Sequence, residues 1–288
     1  MTGGSPGGKR ANRLLASAAQ ELGIPVGLGS VRAMLRDPDL LGDFHIKPLA
    51  PDVPVLANLG AVQAREYPAE KIAEVCSRLE AQALVLHLNA GQELFQPDGD
   101  RDFRGLKDAI QRLCDASPVP IIVKETGFGI SPGLCRDLLA RGVAYVDLAG
   151  AGGTNWISVE SYRVDEPRAA VARQFSDWGV PTSILLASFG GGQDRLIASG
   201  GIRTGVDAAK AVALGAELVG LALPVIRAVA SGGAEAVVQV FRSLEAGLRA
   251  VMVLTASRTI ADLRRGILWQ EPSFAARVKS FQGAAERA

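Results

Sequence analysis

Four clusters in this sequence combine residue types and spacings that suit chemistry. Ser199-Gly200-Gly201-Ile202-Arg203 follows a short apolar run and precedes a helical pattern. Glycines let backbone N–H groups approach an anion, and a helix N-terminus favours negative charge, so the cluster suits a phosphate. A tight turn needing glycine for its geometry is the structural alternative. Ala149-Gly150-Ala151-Gly152-Gly153-Thr154 follows another apolar run, and its small residues and hydroxyl can wrap a flat or phosphorylated ligand. In His87-Leu88-Asn89-Ala90-Gly91-Gln92-Glu93 the histidine and asparagine lie two apart, on one face of a strand. The carboxylate of Glu93 beyond them suits Mg²⁺, which takes one or two carboxylates together with ligand phosphates. The plainer reading of His87 is a hydrogen-bonded core histidine. Lys124 lies in the apolar run PIIVKETGFG, where a buried ammonium needs an anionic or electron-rich partner. Glu125 is a poor partner, because adjacent strand residues face opposite ways.

Seven apolar runs must position these clusters: Ile24–Ser30, Val53–Gly60, Ala83–Asn89, Pro120–Thr126, Tyr145–Gly150, Arg195–Gly201 and Leu218–Leu223. Most are continuous instead of alternating, as parallel strands covered on both faces require. Between them Pro68–Leu79, Phe103–Cys114, Pro132–Arg141 and Val206–Leu214 carry helical spacing, and Lys9–Leu22 supplies a first helix. Ser131 and Pro132 read as N-cap and first helical residue, and Gly142 and Gly215 as left-handed helix ends. The expected fold is a TIM (βα)8 barrel in one domain over residues 1–288. A doubly wound open sheet is the alternative, but it would gather its polar residues at one switch point instead of at every strand end. The short run Gly190–Gly192 reads as a loop, Ala234–Arg265 as two closing helices, and the stretch from about residue 266 to 288 as a tail.

The 48% hydrophobic and 21% charged composition suits a large buried core, filled mainly by aliphatic side chains since aromatics are only 5%. A formal charge of +1 gives no electrostatic case for nucleic acid or anionic membranes. Cys76, Cys114 and Cys135 are far apart and make no CxxC pair, which suggests neither a disulfide framework nor a zinc site and fits a reducing compartment. No apolar run approaches the ~18–20 residues that span a bilayer, and no signal peptide is seen, so the expected location is cytoplasmic.

The motifs MTGGS, LGSVR, NLG, HLNAGQELFQPDGDRDF, IIVKETGFGIS, VDLAGAGGTNW, DWGVPT and IASGGIRTGVDAAKAVALGA resemble type 2 isopentenyl diphosphate isomerases, in order and at similar spacing. HLNxxQE and QPxGDxxF are specific to that family, whereas the lysine strand and SGGIR are shared more widely among FMN barrels. Such enzymes interconvert isopentenyl and dimethylallyl diphosphate with reduced FMN and Mg²⁺, and need NADPH or another reductant only to prime the flavin. The resemblance implies flavin contacts from Met1, Thr2, Gly3, Ser30, Asn58, Lys124, Ala149 and Thr154. It gives the flavin phosphate to Gly201, Ile202, Arg203, Ala222 and Leu223, and Mg²⁺ to Glu93. Ser30, Arg32, His87, Asn89, Gln92 and Trp156 would bind the diphosphate substrate, with Trp156 walling its hydrocarbon tail. His87, Gln92 and Lys124 would carry the catalysis. The assembly implied is a homo-oligomer, a tetramer or octamer.

Two departures stand out. Ala149 replaces a serine common in relatives, a loss of about one hydrogen bond, ~1 kcal/mol. Relatives also carry several dozen residues before MTGG, including most of barrel strand 1 and an Arg-Lys pair for the diphosphate. The expectation is therefore that strand 1 is largely missing and that Met1 is an internal methionine of a longer protein. A barrel left open at that strand would lose more than the usual ~5–15 kcal/mol stability margin. The alternatives are a truncated, weakly active or inactive FMN-binding barrel, or another FMN-dependent oxidoreductase. An α-hydroxy-acid oxidase needs a histidine late in the barrel, and none follows His87. Chemistry like that of inosine monophosphate dehydrogenase needs a mid-barrel cysteine, and none follows Cys135.

Overall fold

Each apolar run of the sequence becomes a strand, trimmed where glycine or a polar residue turns the chain out of the ladder. The computed structural model describes residues 2, 4–190, 194–266 and 268–285. Its strands are β1 (Val26–Ser30), β2 (Val55–Gly60), β3 (Ala83–His87), β4 (Ile121–Lys124), β5 (Tyr145–Asp147), β6 (Leu196–Ala198) and β7 (Leu218–Val219). They form one parallel sheet in chain order. β6 stops at Ala198 because Gly200 and Gly201 adopt φ of +88° and +95°, which no ladder accommodates.

Side chains alternate across this sheet. One set, including Val55, Leu59, Leu84, Leu86, Val123, Val146, Leu148 and Ala198, is buried with the surrounding helices in the main core. The other set, Leu56, Ala83, Val85, Ile122, Tyr145 and Ile197, meets in a separate cluster. Residues from β2 through β6 share that second cluster because the sheet curls about it. The architecture is a TIM barrel with seven strands formed among the described residues. No ladder joins β7 to β1 among the described residues, and the edges show it: Leu218 on β7 is 49% exposed.

The helices follow their sequence signals. Ser131 Oγ accepts from Leu134 N–H at the start of Pro132–Ala140, and Thr204 with Asp207 forms a reciprocal capping box on Gly205–Ala213. Gly142 and Gly215 take positive φ just past the helix ends. Pro6–Leu22 packs through Ala18 on Val225, Ala228, Val237 and Val238 of the long helix Leu223–Leu254, which is broken at Gly232–Gly233. A short helix, Ile260–Arg265, follows. Pro272–Ala285, read from sequence as tail, forms a helix whose Val278 is buried with Ile184 and Ala187. Several helices of six residues, among them Ala61–Glu66, Ala90–Phe95, Trp156–Ser161 and Thr182–Ala187, follow strand ends or lie between β5 and β6.

Candidate active site

Above the inner apolar cluster the strands end in one polar layer. The register places Gly60, His87, Lys124 and Asp147 side by side across β2 to β5, with Asn58 one step below on β2. His87 Nδ1 lies 2.7 Å from Asn58 Oδ1. An amide oxygen only accepts, so the ring proton is on Nδ1 and Nε2 is left as an acceptor. Burial, assisted by the charge of Lys124, lowers the His87 pKa to about 4, so the ring is neutral at pH 7. Gly60 makes room for it: a Cβ there would lie 3.3 Å from His87 Nε2 and 2.2 Å from Gln63 Oε1.

Lys124 Nζ donates to the backbone carbonyl of Glu125. The Glu125 carboxylate points elsewhere, accepting from the N–H groups of Gly127 (2.7 Å), Phe128 and Gly129 (3.1 Å), which fixes the turn after β4. Burial outweighs those bonds and raises the Glu125 pKa. Asp147 is buried, and Ser199 Oγ lies 2.8 and 2.9 Å from its two carboxylate oxygens, while Ala149 N–H donates at 3.2 Å. Here too burial raises the pKa, opposed by Lys124 and by these hydrogen bonds.

Beyond β3 the chain enters the helix Ala90–Phe95. Glu93 is buried there, and Asn89 Nδ2 (2.8 Å) and Asp100 N–H (3.0 Å) each donate to one of its oxygens. Gln92 Nε2 donates at 3.0 Å to Glu160, a fully buried carboxylate that also receives Gln96 Nε2 at 2.9 Å and Arg163. The amide oxygen of Gln92 is thereby turned away from Glu160. Trp156 opens the helix after the β5 loop and packs, half-buried, with Phe95, Phe128, Ile157 and Phe175.

The far end of the site is main chain. A Cβ on Gly200 would lie 2.0 Å from Gly150 O, and one on Gly201 3.1 Å from Gly152 Cα, so the two glycine loops pack backbone on backbone. Thr182 Oγ1 ties the arrangement down at 2.8 Å from Ser199 O and 2.7 Å from Gly200 O. Arg203 Nη1 donates to Gly201 O (3.0 Å) and Nη2 to Gly152 O (2.7 Å). Among the described residues, the N–H groups of Gly200, Gly201 and Ile202 have no acceptor. Helix Leu223–Leu254 begins at Ala222 with no side-chain cap. β6 and β7 are neighbours, and a Cβ on Gly220 would lie 3.1 Å from Ser199 Cβ, so free N–H groups and a helix start follow adjacent strand ends, which suits a phosphate.

At the β1 end, Ser30 pairs with Asn58, and Arg32 N–H donates to Ser30 Oγ at 3.4 Å. Thr2 lies against Gly29, where a Cβ would be 2.1 Å from Thr2 O. Thr154 O lies 2.6 Å from where a Gly127 Cβ would be, joining the β4 and β5 loops. Met1 and Gly3 lie outside the described residues.

A family model described as FMN-dependent dehydrogenase matches residues 57–270. An isopentenyl-diphosphate delta-isomerase of Borrelia garinii subsp. bavariensis is 46% identical over 266 residues, 92% of this chain and 75% of that protein. A Synechococcus protein of the same name is 48% identical over 93% of this chain and 78% of its own. The chain belongs to the type 2 isopentenyl-diphosphate delta-isomerase family. It is an isomerase of a flavin-dependent superfamily. In solved structures, an (S)-mandelate dehydrogenase mutant shares the fold with a TM-score of 0.61 at 20% identity, over 89% of this chain and 75% of that one. A mandelate oxidase variant with an FMN adduct gives 0.57 at 18%, over 88% and 72%.

The residues present in this family member fit FMN. A glycine cradle that no Cβ could enter, free N–H groups and Arg203 suit its phosphate, and a lysine in an otherwise apolar strand suits its ring. Sequence reading gives no role to Asp147, Thr182 or Glu160, and places Ser199 only in the phosphate cluster, without its bond to Asp147. Asp147 offered the same cue as Lys124, an ionisable residue in an apolar strand. Glu160 offered none, since its partner Gln92 is 68 residues away.

Proposed function

We propose that this chain, with reduced FMN and Mg²⁺, interconverts isopentenyl and dimethylallyl diphosphate. The observation that carries the proposal is 46% identity across 92% of the chain to a protein named for that reaction. The geometry of the strand ends supports it. Gly201, Ile202, Arg203, Ala222 and Leu223 would hold the FMN phosphate, and Thr2, Ser30, Asn58, Lys124, Ala149 and Thr154, with Met1 and Gly3, would surround the ring. Bound and reduced, FMN supplies an electron-rich ring and an exchangeable proton at N5.

The reaction adds a proton at the terminal alkene carbon and removes one from the allylic carbon, with no net redox change. The protein's part is to bind, orient and keep out water. Lys124 places a positive charge beside the ring. Gln92, held by Glu160 through its Nε2, presents its amide oxygen to the substrate. His87 is neutral until the diphosphate arrives; the anion then favours the imidazolium, which donates from Nε2. Arg32, Ser30 and Asn89 add donors to the diphosphate. Glu93 keeps lone pairs beyond its two hydrogen bonds and would hold Mg²⁺ together with diphosphate oxygens. Among the described residues no group of three or more acidic, histidine or cysteine side chains gathers to hold a metal, so the substrate's oxygens complete the Mg²⁺ shell. Trp156 and its phenylalanine neighbours wall the hydrocarbon tail. NADPH serves only to reduce the flavin. No helix among the described residues is long and apolar enough to cross a membrane, and the three cysteines are free thiols. We place the reaction in the cytoplasm, in a homo-oligomer.

The test is anaerobic incubation of the chain with FMN, NADPH, Mg²⁺ and isopentenyl diphosphate. Dimethylallyl diphosphate is expected to form, and to stop forming on chelation of Mg²⁺ or exposure to air. A chain that binds FMN under these conditions and leaves the substrate unchanged overturns the proposal.

A further inference from the structure

The polar layer contains one charged group to which neither the sequence reading nor the proposed reaction gives a role. Asp147 ends β5 in register with Lys124 on β4, and Lys124 is in register with His87 on β3. The layer therefore carries an imidazole, an ammonium and a carboxyl group in order from β3 to β5. Asp147 is buried, with buried Val146 before it and Leu148 after it, so an ionised carboxylate there needs a nearby cation. Within the layer the cation next to it in register is Lys124, whose Nζ donates to the Glu125 carbonyl and leaves the carboxylate to act through space. The carboxylate has two further attachments: Ser199 Oγ, 2.8 and 2.9 Å from its oxygens, and Ala149 N–H at 3.2 Å. Ser199 leads directly into Gly200 and Gly201, and Ala149 into the loop packed on them. A single side chain, next in register to the lysine, thus binds both glycine loops.

We propose that Asp147 is the counter-charge of Lys124 and a positioning residue, holding the lysine's charge at the ring end of the site and coupling it to the phosphate loops. The proposal rests on the reading of this site as an FMN site. Burial alone pushes the Asp147 pKa up, and Lys124 opposes that push. Removing the lysine's charge should therefore make Asp147 take up a proton.

The experiment has two arms. In the holoenzyme, the reduction potential of bound FMN is measured for wild type, Lys124→Gln, Asp147→Asn, Asp147→Glu and the Lys124→Gln/Asp147→Asn double variant. Lys124→Gln should move the potential negative, because the cation that favours the electron-rich ring is gone. Asp147→Asn should shift it only while Lys124 is present, Asp147→Glu should restore most of the wild-type value, and the double variant should match Lys124→Gln alone. An Asp147→Asn shift that is absent, or that is the same with and without Lys124, overturns the proposal while leaving the FMN reading intact. In the second arm, ¹³C NMR of aspartate-labelled protein follows the Asp147 carboxyl at pH 7. It should be ionised in wild type and protonated in Lys124→Gln. A wild-type carboxyl already protonated, or one still ionised in Lys124→Gln, overturns the proposal. This arm decides the matter even if Asp147→Asn does not fold. If wild type binds no FMN, the FMN reading fails by itself, and the NMR result still decides whether Asp147 and Lys124 form a charge pair.

Discussion

From β2 to β5 the candidate site is made of side chains, whereas from the β5 loop to the start of helix Leu223–Leu254 it is made of main chain. His87, Lys124 and Asp147 project from three neighbouring strands in one layer, with Asn58 of the next strand one step below, and their chemistry is charge, tautomer and hydrogen bonding. Gly150, Gly152, Gly200 and Gly201 present almost nothing but N–H and C=O, and their chemistry is close approach. The first half should tolerate changes of shape and be sensitive to changes of charge. The second should tolerate changes of charge at its margin and admit no added carbon.

The comparison can be broken at either end. The largest effect is expected from Gly200→Ala. Its φ is +88° and the new Cβ would lie 2.0 Å from Gly150 O, so the two loops must separate. A loss of more than about 4 kcal/mol in stability is expected, with no FMN bound; denaturant unfolding and flavin absorbance check it, and a stable yellow variant would show the loops are not packed as described. Lys124→Met changes charge at similar length. It should leave the fold intact and lower isomerisation by about 10²–10³-fold, the worth of one preorganised electrostatic contact. Unchanged turnover in a kinetic assay would remove Lys124 from the chemistry.

His87 gives a pH signature. Its folded pKa of about 4 is below the ordinary 6.5, so the unfolded chain takes the proton first. Stability from this group is full above pH 6.5 and is lost as the pH falls through about 4, a total of about 3 kcal/mol. Urea unfolding between pH 7 and 4 should show this loss in wild type and not in His87→Gln; equal slopes would contradict it. The smallest effect is expected from Arg203→Ala at the margin of the glycine half. Losing a charge-assisted contact should weaken FMN by about 1.5–3 kcal/mol without lowering stability much, as isothermal titration would show.

The sequence made the strand order readable because continuous apolar runs followed by glycine are a signature of parallel strands. Lys124 was visible because a lysine in such a run is costly to bury. Asn58 and His87 became site residues from the resemblance and from their strand-end position, but their mutual hydrogen bond depends on β2–β3 register, which no local pattern encodes. The short helices were passed over since six residues hold fewer than two turns and show no period. Helix Pro272–Ala285 carries Phe274, Val278 and Phe281 on one face, yet its Ala- and Arg-rich surroundings mask that spacing. Glu160 was invisible for a different reason: a single acid in a short helix looks solvated, and only the tertiary structure buries it against Gln92 and Gln96.

The measurement that tests the two-part site most directly compares FMN with riboflavin, which has the ring and lacks the phosphate. Affinities for both would be determined in wild type, Lys124→Met and Arg203→Ala. If side chains read the ring and main chain reads the phosphate, wild type prefers FMN strongly, Arg203→Ala narrows that preference, and Lys124→Met weakens both ligands by the same factor. Equal affinity of wild type for the two ligands, or a preference that follows Lys124 instead of Arg203, would contradict the account.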